Sequence, residues 1–533
     1  MGSNAGIDAA SESGGGAGYI GLSSGATLLH AIRRLAPQEI VPSPLSNWNA
    51  FGLMKPQIPL IPKTGLSSAM DDSQAVLSVG PAKRLPPATE FKPLVDAYFR
   101  YFHPLTPIVH EPTVRAQLMG AVPLPRNSGN RVLFYMIFAM GSFDLALTAE
   151  DDNGYKYYEI ARHAYREEVM EEGSLQLVQG LAIMANYLQR SNKPNAGFVC
   201  LGVAIRMAIA LGIHASATGG KLTALDSETR TRLWWGLVTL EAGCCSTFGR
   251  PHALGFSSLM AVRLPTNCDD ESLTVSDETI PPAAQHVTLY TALIIQARLA
   301  KTAFGLQDRI SKSLPSPRVE QIKWCGQSFQ DDLLSFPAFM QTAGPGPYRL
   351  ARAIQSWRAR YLRSVLYRPV LLSAAWSPSW RNGRDKTVHE IVETCRTLAL
   401  ENLRDISDFC RSEADPHRGA EWYFLYFGFQ AALTLLLSIV WEPDHASIGT
   451  WRSAISETLQ WTRQLRSVQQ LATSYATIME NVLNAKVPVL PQIIPEPYAG
   501  ETQDLGQGEA CDVAFDFERY LYVLKIGCQA NRM

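Results

Sequence analysis

Residues 226–251 read DSETRTRLWWGLVTLEAGCCSTFGRP, and how this stretch folds decides the architecture of the whole chain. Asp226 suits a helix N-cap and Glu228 puts an acid in the first turn, where the exposed N–H groups favour negative charge. Gly249 followed by Pro251 is a stop, because glycine takes the left-handed terminating conformation and proline cannot continue the ladder. Between these ends Leu233, Leu237, Leu240, Cys244 and Phe248 recur on one helical face. Trp234 and Trp235 project about 100° apart, so the pair meets two neighbouring helices and predicts a packing centre. Glu241 sits on a second face, where burial would need a partner that the sequence does not identify.

The pattern repeats upstream. Phe198, Leu201, Ile205, Ala208 and Ile209 share one face of a helix that follows Pro194 and ends by Gly212. From Glu90 onward, long apolar-periodic segments alternate with turn clusters such as DDNG, SNKPN and TAGPGP, while strand signals are scarce. The expected fold is all-α: a large multi-helix domain of stacked helical pairs over residues 91–490. A flexible Gly/Ser/Pro-rich tether is expected over residues 1–90 and an acidic loop-like tail over 491–533. The prolines of VPVLPQIIP, from Val487, read as an extended exit from the helical body.

Composition narrows the function. The 533 residues carry 48 basic and 49 acidic side chains, so no overall charge excess draws the chain to nucleic acid or anionic lipid. The nine cysteines begin only at Cys200, with irregular spacing and no secretory leader pattern ahead of them, which points to a reducing compartment. WYFLYFGFQAALTLLLSIVW, Trp422–Trp441, is long and uncharged enough to cross a bilayer. Glu442 and Asp444 follow it and no basic cluster flanks it, which favours a central buried helix and no membrane association.

Enzyme fingerprints do not hold up. GGGAGYIGLSSG, residues 14–25, contains both a dinucleotide-loop glycine spacing and a nucleophile-elbow spacing, but no core strand precedes it, as both devices require. Cys244, Cys245, His252 and Cys268 lack the two-residue spacer of zinc knuckles, and read as buried apolar cysteines. DDNG at Asp151 has Arg162 at the twelfth position of a would-be calcium loop and reads as a turn that starts a helix. His214 suits a helix-end cap. The remaining pattern is YRLARAIQSWRARYLRSVLYRP: Arg349, Arg352, Arg360 and Arg363 form a stripe opposite Leu350, Ile354, Trp357, Tyr361 and Val365. Such a stripe is either a solvated outer face or a surface for phosphates or an acidic partner.

Taken in order, several segments resemble the fungal-specific transcription factor domain, the regulatory domain of fungal zinc-cluster transcription factors. YFRYFHPLTPIVHEPTVRAQL (Tyr98–Leu118) resembles its opening, LGVAIRMAIALGIH (Leu201–His214) its second signature, and RTRLWWGLVTLEAGCCSTFGRPHAL (Arg230–Leu254) its third. LPTNCDD (Leu264–Asp270) and YLRSVLYRPVLL (Tyr361–Leu372) are similar to a later turn and helix, and GYIGLSSGATLLHAI (Gly18–Ile32) to a preceding tether segment. The specific features are Trp234, Trp235, Gly249, Arg250 and Pro251, expected to be structural. Ala242 departs from the arginine common after the third signature's acid.

The resemblance implies a nuclear transcriptional regulator of a metabolic or secondary-metabolite gene set, without catalytic residues, metal site or cofactor of its own. Its implied partners are proteins, as a homodimer or with a full-length zinc-cluster factor, and a small-molecule effector. Family members usually hold zinc in an N-terminal six-cysteine module that reads DNA; no cysteine precedes Cys200 here, so this sequence cannot build it and DNA targeting is expected to depend on a partner. The alternatives are a non-DNA-binding interaction or ligand-binding protein that modulates a full-length factor and, more remotely, a helical enzyme with a pocket inside the bundle.

Overall fold

The computed structural model describes residues 24–35, 85–123, 129–148, 153–166, 173–215, 222–254, 262–312, 319–341, 346–376, 385–413, 417–465 and 468–484. Among the described residues there are sixteen α-helices and no strand, as the periodicity predicts. In chain order they are α1 (Gly25–Leu35), α2 (Ala88–Ala97), α3 (Glu111–Leu118), α4 (Gly129–Leu145), α5 (Gly154–Arg166), α6 (Leu175–Arg190), α7 (Pro194–Ala210) and α8 (Ala224–Phe248). There follow α9 (Thr291–Lys312), α10 (Val319–Leu334), α11 (Ala338–Gln341), α12 (Arg349–Trp376), α13 (Lys386–Ser412), α14 (Arg418–Trp441), α15 (Ile448–Thr462) and α16 (Gln469–Asn484).

Caps set the boundaries. Ser174 accepts from the Leu177 N–H at 3.2 Å to open α6, and Asp385 accepts from Thr387 and Val388 to open α13. α8 starts two residues earlier than Asp226 suggests: Thr223 is the N-cap, accepting from the Asp226 N–H at 3.1 Å. It ends as expected, Gly249 taking φ +64°.

Helices close in sequence pack on one another: α4 on α5 and, beyond it, on α6, α6 on α7, α12 on α13 and α13 on α14. Two large cores result. One gathers α2 to α9 around Tyr98, Phe134, Phe138, Trp234 and Trp235. The other gathers α1 and α12 to α16 around Trp357, Phe424, Leu436 and Ile455. α9 joins them, packing on α8, α10 and α12. Close crossings need small residues: a Cβ on Gly141 of α4 would fall 1.9 Å from the Leu94 carbonyl oxygen of α2.

α14 carries the apolar run. Of its most apolar 18 residues 94% are buried inside the protein, and among the described residues it is the one helix long and apolar enough to cross a membrane. Within the span read as a tether, residues 25–35 are a short docking segment. These form α1, with Leu28, Leu29, Ala31 and Ile32 buried in the second core against α14. The apolar residues of ATLLHAI were outweighed by the glycines before them, although their partner lies in a distant part of the chain. The glycine-rich residues 14–23, VPVLPQIIP and the acidic tail lie outside the described residues.

Candidate functional site

Two polar constellations stand out, and the first lies at the tryptophan pair. Arg232, with a side chain 3% exposed, bonds Glu228 one turn earlier at 3.1 Å and Asp270 at 2.7 Å, and its guanidinium lies 3.3 Å from the Tyr290 ring centroid. Glu228 also accepts from Arg263 at 2.6 Å and from the Thr266 N–H at 2.8 Å. Asp270 accepts from the Tyr290 hydroxyl at 2.5 Å and from the Glu111 N–H at 3.2 Å, while its carbonyl meets His110. Burial alone would raise the Asp270 carboxyl; Arg232, His110 and the Tyr290 hydroxyl outweigh it and hold the group below its usual range.

This network ties α8, the turn at 264–270, the Tyr98–Leu118 segment and α9 to one point. Trp234 and Trp235 are fully buried beside it, and Trp235 Nε1 donates to the Arg263 carbonyl at 2.7 Å. Arg250 donates to Asn195 at 2.5 Å, with the Phe198 and Phe248 rings near its guanidinium, and the Pro251 carbonyl accepts from the Cys245 thiol. Every one of these contacts is internal to the protein. Glu241 is buried as well; the partners that the sequence did not reveal are the Ala253 N–H at 3.0 Å and the Cys245 thiol. Burial raises its carboxyl above the usual range. His214 lies beside Trp234, ring centroids 6.1 Å apart. Cys244 and Cys245 are buried, which pushes the Cys244 thiol up to about 12. Among the described residues no group of three or more His, Cys, Asp or Glu is placed to hold a metal ion.

The second constellation is the arginine stripe. Much of it borders a cleft of about 560 Å³ between α12, α13 and the α10–α11 region. Arg352, Arg360 and Arg363 all line that cleft. Arg360 spans Glu401 at 3.3 Å and Asp405 at 2.6 Å on α13, Arg363 donates to Gln330 of α10 at 3.0 Å, and Arg352 is 8% exposed. Arg349 stands apart, over the Phe409 ring and 3.7 Å from Glu413. Gln355 joins the cleft from α12. Sequence reasoning missed it, although it stands three residues after Arg352 at the edge of the stripe. Ile295, Leu333, Phe336 and Met340 form the apolar wall.

Residues 95–358, which hold the whole first constellation and the first half of the cleft-lining residues of α12, up to Ser356, match the model of the fungal specific transcription factor domain. The chain is 24% identical over 394 residues to the lactose regulatory protein LAC9 of Kluyveromyces lactis, covering 72% of this chain and 42% of that protein. It is 23% identical to the transcriptional activator protein acu-15 of Neurospora crassa, covering 62% of this chain and 37% of that one. With the pyrimidine pathway regulatory protein 1 of Saccharomyces cerevisiae it shares 27% over 213 residues, 37% of this chain and 23% of the other. The chain thus spans less than half the length of these relatives. The ordered signatures, the helical pairs they build and this match agree: through residues 95–358 the chain belongs to the family of proteins that carry the fungal specific transcription factor domain.

Proposed function

We propose that the chain is a nuclear transcriptional regulator of a metabolic gene set, acting through its helical domain and reaching DNA through a partner protein. The observation that carries this reading is the family match over residues 95–358, together with relatives whose names tie them to lactose regulation and a pyrimidine pathway. Partner-dependent targeting is supported by a near-neutral charge balance, which gives these residues no overall excess to draw them to nucleic acid. The partner is a second copy or a full-length zinc-cluster factor, and a small-molecule effector sets the activity. No catalytic role is assigned.

Deleting the gene and profiling transcripts, alongside chromatin immunoprecipitation of the tagged chain, tests the reading. A coherent metabolic set should change, with the chain crosslinked at its promoters and released when the partner is depleted. Unchanged transcripts across carbon and nitrogen sources, with no promoter enrichment, would sink it.

A further inference from the structure

The cleft between α10, α11, α12 and α13 presents polar groups that the packing of the helices does not use. Gln355 is 4% exposed and lines the cleft, yet neither its Oε1 nor its Nε2 has a hydrogen-bond partner within the protein. Buried amides are ordinarily satisfied, because stripping water from both atoms without replacement is costly. Arg363, on the same helix, donates through Nη1 to a neutral acceptor, Gln330 Oε1, and its buried Nε has no hydrogen-bond partner. The acids of the cleft are already engaged, Glu401 by Arg360 of the same cleft at 3.3 Å and Glu393 by Arg396 at 2.6 Å. Positive charge at Arg363 is therefore uncompensated by a carboxylate in the contacts it makes, and it shares the cleft with an amide, about two turns earlier on α12, able both to donate and to accept.

Opposite these groups the wall is apolar, formed by Leu333, Phe336 and Met340 with Ile295. A cleft of about 560 Å³ is of the size that takes a small organic molecule. We propose that it binds a small organic anion: an oxyanion head, carboxylate or phosphate, held by Arg363 and Gln355, with an apolar body against Leu333, Phe336 and Met340. The planar guanidinium suits such a head because it offers parallel N–H groups to two oxygens at once. The Gln355 amide donates to the head through Nε2, which gives a buried polar group the partner it lacks in the protein alone. The assignment deepens the effector reading above by naming its site and ligand class, and rests on it only for any consequence in transcription. Binding is measured directly, so failure of the site and failure of the regulatory reading are separate results.

The test is calorimetric titration and thermal melting of the full 533-residue chain with octanoate, phenyl phosphate, inorganic phosphate and the neutral octanamide. Octanoate or phenyl phosphate should bind saturably and raise the melting temperature, and the stronger of the two identifies the head group. Octanamide, without charge, and inorganic phosphate, without a body, should each bind more weakly by on the order of tenfold or more. Arg363→Met and Gln355→Leu should each weaken the better anion by about tenfold. Arg363→Lys should retain part of the affinity, and all three unliganded variants should melt at or above the wild-type temperature or within a degree or so below it. Absence of binding by both organic anions, equal binding of octanamide, or affinity unchanged in both Arg363→Met and Gln355→Leu overturns the proposal.

Discussion

The buried network at Arg232 and the cleft at Arg363 use the same residue types to opposite ends. Around Arg232 each charge meets an opposite charge or a hydrogen-bond donor: Glu228 and Asp270 share the arginine, Arg263 and Tyr290 complete their shells, and backbone N–H groups fill the gaps. Arg363 bonds a neutral acceptor, Gln330, and a buried glutamine lining the same cleft has no partner in the protein. A satisfied network specifies a geometry, whereas an open one offers binding. The satisfied network lies beside the Trp234–Trp235 pair, and the unsatisfied groups lie on α12, along the arginine stripe.

Arg232→Met should separate the two regions most sharply. It leaves Glu228 and Asp270 buried without their shared cation, and should cost about 3–5 kcal/mol in denaturant unfolding. A loss under about 1 kcal/mol would mean that the network does not hold the turn at 264–270. The same network should confer acid sensitivity. Asp270 is depressed in the folded state, so between its folded value and the ordinary carboxylate range the unfolded chain binds more protons. Its contribution is complete above the ordinary range and is lost as pH falls through the folded value. Melting curves from neutral to acid pH should show this loss in wild type and less of it in Asp270→Asn.

Gly326→Ala probes the cleft from below. The added Cβ would fall 2.1 Å from the Tyr367 ring, forcing α10 and α12 apart at a cost of about 1–3 kcal/mol, readable as a lowered denaturant midpoint. Glu241→Gln should act in the other direction. Burial raises the Glu241 carboxyl, so its stabilising contribution is present below the ordinary carboxylate range and is lost as pH rises through the folded value. At pH 7 the neutral amide should therefore stabilise the protein by about 1 kcal/mol, with the gain vanishing in acid. Arg363→Met should change unliganded stability least, within about 0.5 kcal/mol, because its partners are neutral and it is partly exposed. A large loss there would make the cleft as structural as the Arg232 network.

Much of this was legible in the sequence, for reasons that stop at identifiable residues. α7 and α8 declared themselves because periodicity and stop signals are local, and Gly249 has the left-handed conformation that its place before Arg250-Pro251 predicts. The uncharged run became the buried α14 because its flanks already argued against a bilayer. Thr223 was missed as a cap because Asp226, three residues on, offers a cap of equal chemistry. The arginine stripe was seen as a stripe, but what faces it was not: Gln330, Glu401 and Asp405 come from other helices, and one helix's pattern carries no record of its neighbours. Glu241 shows the same limit, its acceptor role being fixed by a backbone N–H twelve residues away beyond the end of α8.

α1 has a consequence for biogenesis. Its apolar face closes against α14, and Gly25 packs so tightly there that a Cβ would fall 2.3 Å from the Gln430 side chain. At translation speeds of about 5–20 residues per second, the chain between the end of α1 and the start of α14 takes roughly 20–80 s to emerge from the ribosome. An eleven-residue helix is marginal in isolation, so throughout that interval the sequence of Leu28, Leu29 and Ile32 is an unprotected sticky segment. The first part of this core to be synthesised is therefore among the last to find its place. A nascent chain stalled before Arg418 should expose it to chaperones, and one released after Trp441 should not.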